Sequence, residues 1–231
     1  MKSIKAIFIK QMRDALKNPA VLIQFFLFPI MALIMTELVA KPNDEIPTSM
    51  FVTMFASMAA GMTPLVMTSG AIAEDRERKS LRFLVMAGVK PHEYLMGVSG
   101  FVLLVSLITS VAFGLIGEFR GVGFIIFVSV LFIGSAASSM LGASIGIFSK
   151  NQQASVATST PVFLVLSFSP MISMFNETIA KITSVFYTQQ INTVVNDFST
   201  DLTKPLIIIA ANIAVLLILF ILAYKKKGLK G

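Results

Sequence analysis

The chain has 231 residues, 55% hydrophobic and only 13% charged, with 20 Phe, no Cys, one His and a formal charge of +7. A mean hydropathy of +0.83 is too high for a water-soluble domain of this size and fits a polytopic membrane protein. Without cysteine there are no disulfides, thiolate metal sites or thiol nucleophiles. The lone His92 leaves histidine chemistry almost nothing to work with, and the basic residues hug the ends of apolar runs, as topology requires, rather than forming a nucleic-acid surface.

Residues 1–18 predict an amphipathic helix lying flat in an anionic leaflet. Ile4, Ile7, Phe8, Met12, Ala15 and Leu16 recur at helical spacing, and Lys2, Lys5, Lys10, Arg13 and Lys17 fill the other side. The apolar run that follows is too long for a cleavable signal and has no small-residue cleavage site, so it reads as an uncleaved anchor. Pro19 suits the first turn of a new helix.

Six apolar stretches can each cross a hydrocarbon layer of about 30 Å at 1.5 Å per residue. They run over residues 20–39, 50–72, 94–116, 123–148, 154–173 and 205–224. Pro64 predicts a kink in the second, and Thr158, Ser159, Thr160 and Pro161 weaken the first half of the fifth. With the N-terminus inside, 15 of the 19 Lys and Arg fall on inner segments, including Lys150 and the tail Lys225, Lys226, Lys227 and Lys230; Lys41, Arg120, Lys181 and Lys204 fall outside. That bias predicts both termini in the cytoplasm.

Between the second and third stretches lies a charged island, residues 73–95, holding nine of the 31 charged side chains. Such density is costly in hydrocarbon, so the island belongs in water or at a protein surface. Ser80 is expected to cap a short helix, Leu81 to Met86, ending at Gly88, with Leu81, Leu84 and Val85 on one face and Arg82 pointing elsewhere. Those apolar side chains would be wasteful in a plain solvated loop, which favours a docking element. His92, after Pro91, reads as a solvated loop residue.

Further along, Gly142-x-x-x-Gly146 allows close helix approach, read as close packing within one subunit before a dimer contact. Residues 174–204 form the one long external segment, with Phe175, Ile179, Ile182, Phe186, Val194, Val195 and Phe198 among polar residues, and predict one or two short helices half-buried at the outer face. Asn176-Glu-Thr matches a glycosylation acceptor, a pattern frequent by chance. Among polar residues of the spans, Gln24, Thr36 and Glu37, with Phe28, are candidates for a substrate path, Glu37 reading first as an exposed rim residue; the 14 Met and 20 Phe could line an adaptable route for amphipathic cargo. No Gly-rich phosphate loop ending in Lys-Ser or Lys-Thr occurs, so the chain cannot bind ATP in that way by itself.

The pattern Glu74-x-x-Arg-x-x-Lys-Ser-Leu-Arg-Phe-Leu, with Ala87-Gly-Val-Lys-Pro-x-Glu-Tyr-Leu-x-Gly97, resembles the loop of ABC-2-type exporter permeases, where an acidic residue ends the second span, a Thr-Leu or Ser-Leu opens a coupling helix and a Pro-containing turn leads into the third span. This chain carries Lys79-Ser80 where the family usually has Gly-Thr. The layout is similar over the whole chain. The resemblance implies an all-α integral membrane protein: one transmembrane domain over 1–231, with an N-terminal amphipathic interfacial helix (1–18), a cytoplasmic coupling loop (74–93) and short external helices before the last of six spans (174–204). It implies a bacterial plasma-membrane exporter subunit that pairs with a second copy or a homologous permease and binds two separate ABC ATPase subunits, which hold the ATP and Mg; no catalytic residue, metal or cofactor site is expected in this chain. The implied coupling residues are Glu74, Arg76, Arg78, Ser80, Leu81, Arg82, Leu84 and Val85, with a smaller contact at Lys150 and Asn151, and the first and fifth spans are expected to meet at the dimer axis. The expected cargo is hydrophobic or amphipathic: a peptide, bacteriocin or drug. A stand-alone carrier or channel would carry a buried ionisable relay or an inverted repeat; a non-transporting scaffold subunit would show no ATP-dependent flux.

Overall fold

The computed structural model describes residues 2–173, 175–198 and 201–227. Residues 1, 174, 199, 200 and 228–231, Lys230 of the basic tail among them, lie outside them, as do the side chains of Lys2, Ala20, Val21 and Lys227. Among the described residues the chain is all-helical. The helices are α1 (Lys2–Lys17), α2 (Pro19–Met35, continued by a π-helical turn Thr36–Ala40), α3 (Ser49–Glu77), α4 (Ser80–Met86), α5 (Pro91–Ile116), α6 (Gly121–Phe148), α7 (Gln152–Ser173), α8 (Glu177–Thr183), α9 (Tyr187–Asn196) and α10 (Thr203–Lys227).

Six of them are long and apolar enough to cross a membrane: Leu22–Ala40, Ser49–Glu77, Pro91–Ile116, Gly121–Phe148, Gln152–Ser173 and Thr203–Lys226. The fifth, despite Pro161 and Pro170, is helical throughout. Burial ranks their positions. In α3, 61% of the most apolar window is buried, against 17% in α10, so α3 is the central post and α10 a peripheral helix.

α3 runs past its expected end at residue 72 to Glu77. At 1.5 Å per residue it is about 44 Å long, more than a hydrocarbon core of about 30 Å, so its last charged turn projects beyond the apolar layer. The third span likewise starts at Pro91 rather than 94.

Small residues let α3 and α6 touch backbone to backbone. A Cβ on Gly142 would overlap the Leu65 carbonyl, and one on Gly146 would lie 2.6 Å from the Ser69 oxygen. The two glycines thus serve contact within the chain. Buried hydroxyls add a crosslink: Thr68 and Ser139 are 2.8 Å apart, and Ser139 donates to Ser99 Oγ at 2.7 Å, joining α3, α6 and α5. Pro64 has no N–H to give the Ala60 carbonyl; Ser138 Oγ of α6 donates to that oxygen instead, at 2.5 Å.

The stretch before the last span departs from expectation in part: it forms the two short helices, but only one lies at the surface. α8 stays at the surface, with Phe175 and Ile182 exposed, and Asn176 is its N-cap, its Oδ1 accepting from Thr178 N and Ile179 N. α9 is inserted among the spans rather than laid on them: Tyr187, Thr188, Gln190, Ile191, Asn192, Val194 and Val195 are all buried. Its polar side chains climb α3 and α6 as rungs. Thr53 donates to Asn196 Oδ1 at 2.9 Å, Ser57 to Asn192 Oδ1 at 3.4 Å, and the Tyr187 hydroxyl meets Ser138 Oγ at 2.7 Å. Ser138 lies roughly 25 Å along α6 from its Gly121 end, so the start of α9 dips deep into the bundle.

Candidate functional site

The charged island sits where α1, α3, α5, α6, α7 and α10 end together. Lys79, in the left-handed region at φ 60, breaks α3 from α4. It is Lys79, not Ser80, that precedes the short helix; Ser80 is its first residue and no side chain caps it. α4 closes as expected at Gly88, φ 80: Gly88 N donates to the Val85 carbonyl at 3.0 Å and Val89 N to that of Leu84 at 3.1 Å, the paired bonds of a Schellman turn. Pro91 then opens α5, with Lys90 N bonded to Glu93 Oε2 at 3.2 Å.

α4 shows two faces. Leu81 is 2% exposed and packs with Ile7, Ile72, Tyr94, Leu95 and Tyr224, while Leu84 and Val85 lie half-buried against the same cluster. The stripe expected to meet a partner therefore seats α4 on its own chain. The free face carries Arg82, Phe83 at 65% exposure and Met86 at 59%. Arg78, Lys79 and Lys90 are exposed around it, and Lys150 is exposed at the neighbouring turn, so the face is apolar with a basic rim.

Beneath α4 the charges are organised. Asp75 is 1% exposed and receives Lys10 Nζ of α1 on Oδ1 and the Tyr94 hydroxyl of α5, at 3.0 Å, on Oδ2. Tyr94 lies 5.7 Å, ring to ring, from Tyr224 of α10, whose hydroxyl donates to the Val89 carbonyl at 3.0 Å. Arg76 donates to the carbonyls of Ile147 and of Ser149, the latter at 3.0 Å. Glu74 pairs with Arg78 at 2.7 Å on the surface. The Glu77 carboxylate accepts from Gln152 N at 3.2 Å, and Asn151 Oδ1 accepts from Ala154 N at 2.8 Å, so both serve the start of α7.

The expected coupling residues divide between the surface and the interior. Arg76, Arg78 and Arg82 lie together at the island end, but Arg76 faces inward, and Lys10, Asp75, Tyr94, Phe83 and Met86 were missed. Phe83 and Met86, three apart, form the stripe opposite Leu81, Leu84 and Val85, a signal the periodicity carried. Asp75 carried none, sitting between Glu74 and Glu77 in a run of equivalent charges.

A cavity of about 600 Å³ lies beside the island. Its lining joins polar side chains, Gln11, Asp14, Lys17, Glu74, Arg78 and Gln152, to apolar ones, Phe25, Val66, Met67, Phe101 and Val102. Gln24 lines it, and its buried Oε1 meets no donor among the described residues. The other three candidates for a substrate path lie elsewhere. Phe28 is buried against Phe55, ring centroids 6.4 Å apart; Thr36 is buried in the π-helical turn; and Glu37 is exposed, paired with Lys41 at 2.6 Å.

A family model described as ABC-2 family transporter protein matches residues 2–224 of the chain. No curated protein matches it.

Proposed function

The chain belongs to the ABC-2 family of transporter proteins, a multi-pass membrane subunit of an ABC transporter without an ATPase site of its own, and from that premise we propose that α4 is the element through which a separate ABC ATPase drives it as an exporter. The observation that carries this reading is the division of α4 into an anchored face and a free one. Leu81 fixes it to the bundle, while Arg82, Phe83 and Met86 stand outward. Aromatic, Met and Arg side chains are the types enriched at protein interfaces, and this set suits an apolar groove with an acidic border. Lys150, exposed in the turn tied to the island by Arg76, is the secondary contact; Asn151 supports that turn.

Two ATPase subunits, each holding ATP and Mg, serve a pair of permeases formed by this chain with a second copy or a homologue. Residues 1–231 act as one transmembrane domain in a bacterial plasma membrane, with α1 in the inner interface, the 74–93 loop and both termini in the cytoplasm, and 174–204 on the outer side. The cavity supports an amphipathic cargo such as a peptide, bacteriocin or drug: its charged lining residues match a polar head, its apolar ones a hydrophobic body, and Gln24 offers an acceptor.

The test is affinity purification of the tagged permease from its membrane, with the ABC ATPase that accompanies it as the readout. Phe83→Asp with Met86→Asp is expected to release the ATPase while the permease still accumulates in the membrane. Full retention of the ATPase by that variant overturns the docking reading.

A further inference from the structure

Among the described residues Asp75 is the only charged side chain that is buried. Its two oxygens are taken by two different helices, Oδ1 by Lys10 of α1 and Oδ2 by Tyr94 of α5. A carboxylate withdrawn from water needs a counter-charge, yet apolar replacements of buried ion pairs are often as stable, so the value of such a pair can lie in fixing one arrangement against its neighbours. Here the arrangement is the seating of α1. Elsewhere α1 meets α5 through apolar contact. A Cβ on Gly97 would lie 2.7 Å from Ile7 Cβ, and one on Gly100 would lie 3.0 Å from the Phe8 ring. Contacts of that kind hold two helices together but specify their register weakly. Among the described residues, Lys10 with Asp75 is a directional contact between α1 and the bundle. From there the chain of contacts continues through Tyr94 to Tyr224, and through the Tyr224 hydroxyl to the carbonyl of Val89, the residue that closes α4.

We infer that Lys10 and Asp75 are positioning residues that hold α1 in fixed register with α4, so that α1, α4 and the adjoining ends of α3, α5 and α10 respond as one body to a partner docked on Phe83 and Met86. The last clause rests on the docking reading; the register itself does not.

The chain has no cysteine, so a spin-label pair at Arg13→Cys on α1 and Met86→Cys on α4, both exposed positions, reports their separation in lipid nanodiscs. The labelled parent is expected to give one narrow distance. Lys10→Met and Asp75→Asn should each add a second distance or at least double the width. Lys10→Arg, which keeps the charge, should restore the single distance. Ile147→Ala, which opens a cavity in the same cluster from α6 while keeping both members of the pair and every α4 side chain, should leave it narrow. An unchanged distribution in Lys10→Met overturns the inference, and so does equal broadening in Ile147→Ala. If Asp75→Asn fails to accumulate, Lys10→Met decides, since the Lys10 side chain is 40% exposed and tolerates change. No ATPase is needed for this measurement, so its failure is distinct from a failure of docking, which co-purification reads.

Discussion

Arg76 and Ser149 lie 73 residues apart, and an Arg76 Nη1 bond of 3.0 Å to the Ser149 carbonyl joins them. The same guanidinium serves the Ile147 carbonyl. One side chain at the end of α3 therefore closes the end of α6 and shapes the turn into α7. Arg76→Met leaves these acceptors without their donor, a loss of about 1–3 kcal/mol for a poorly solvated group. Thermal unfolding in detergent should show the drop, and proteolysis at residues 149–151 should speed up. Arg76→Lys, with one donor centre in place of a planar fork, should recover only part.

The two faces of α4 predict opposite phenotypes for equal chemistry. Leu81→Asp puts a charge into a 2%-exposed site and should prevent accumulation of the protein, as an unpaired buried charge does. Phe83→Asp lies in solvent and should leave stability within about 0.5 kcal/mol while weakening ATPase binding by about 2 kcal/mol or more, near 30-fold. Yield and thermal stability read the first effect, and a binding titration with the purified ATPase reads the second.

Gly142→Ala should force α3 and α6 apart, because the new methyl meets backbone at Leu65 rather than a side chain that can swing away. Overpacking of this kind costs about 1–3 kcal/mol. Gly123→Ala is the matched control. There a Cβ would sit 3.4 Å from the Phe198 ring, ordinary contact, and stability should hold or rise slightly from the gain in helix propensity. Thermal melts of the two variants beside the parent decide the point.

Ser138 and Pro64 should be energetically coupled. Ser138→Ala removes the side-chain donor to the Ala60 carbonyl, which Pro64 has no N–H to serve, and its bond with Tyr187, for a loss of about 1–3 kcal/mol. Adding Pro64→Ala supplies the missing backbone N–H, so the double variant should be more stable than Ser138→Ala alone. Tyr187→Phe, which leaves the Ala60 carbonyl satisfied, should cost only about 0.5–1.5 kcal/mol. A double-mutant cycle on thermal stability measures the coupling.

The six long apolar helices, the N-terminal amphipathic helix and the short helix closed at Gly88 were legible because each rests on local signals: apolar run length, a helical period and a residue suited to positive φ. What escaped the sequence depends on which neighbours a helix finds. α9 has the composition of a surface helix, with Thr188, Gln190 and Asn192 beside Ile191 and Val194; it is buried because Thr53, Ser57 and Ser138 on other helices accept or supply its hydrogen bonds. Leu81 and Leu84 were correctly placed on one face of a helix, but periodicity does not say whether an apolar face meets its own chain or another. Asp75 was one acid in a charged run until Lys10, 65 residues earlier, and Tyr94 singled it out.

The insertion of α9 bears on where material can move. With that helix wedged against α3 and α6, the gap left between α3, α5 and α6 around Ala60, Ser110 and Phe113 amounts to about 10 Å³, barely a place for one water. The bundle of a single copy is closed at that point. Its recess, lined by charged and apolar side chains together, lies instead where α1, α2 and α7 meet α3 and α5.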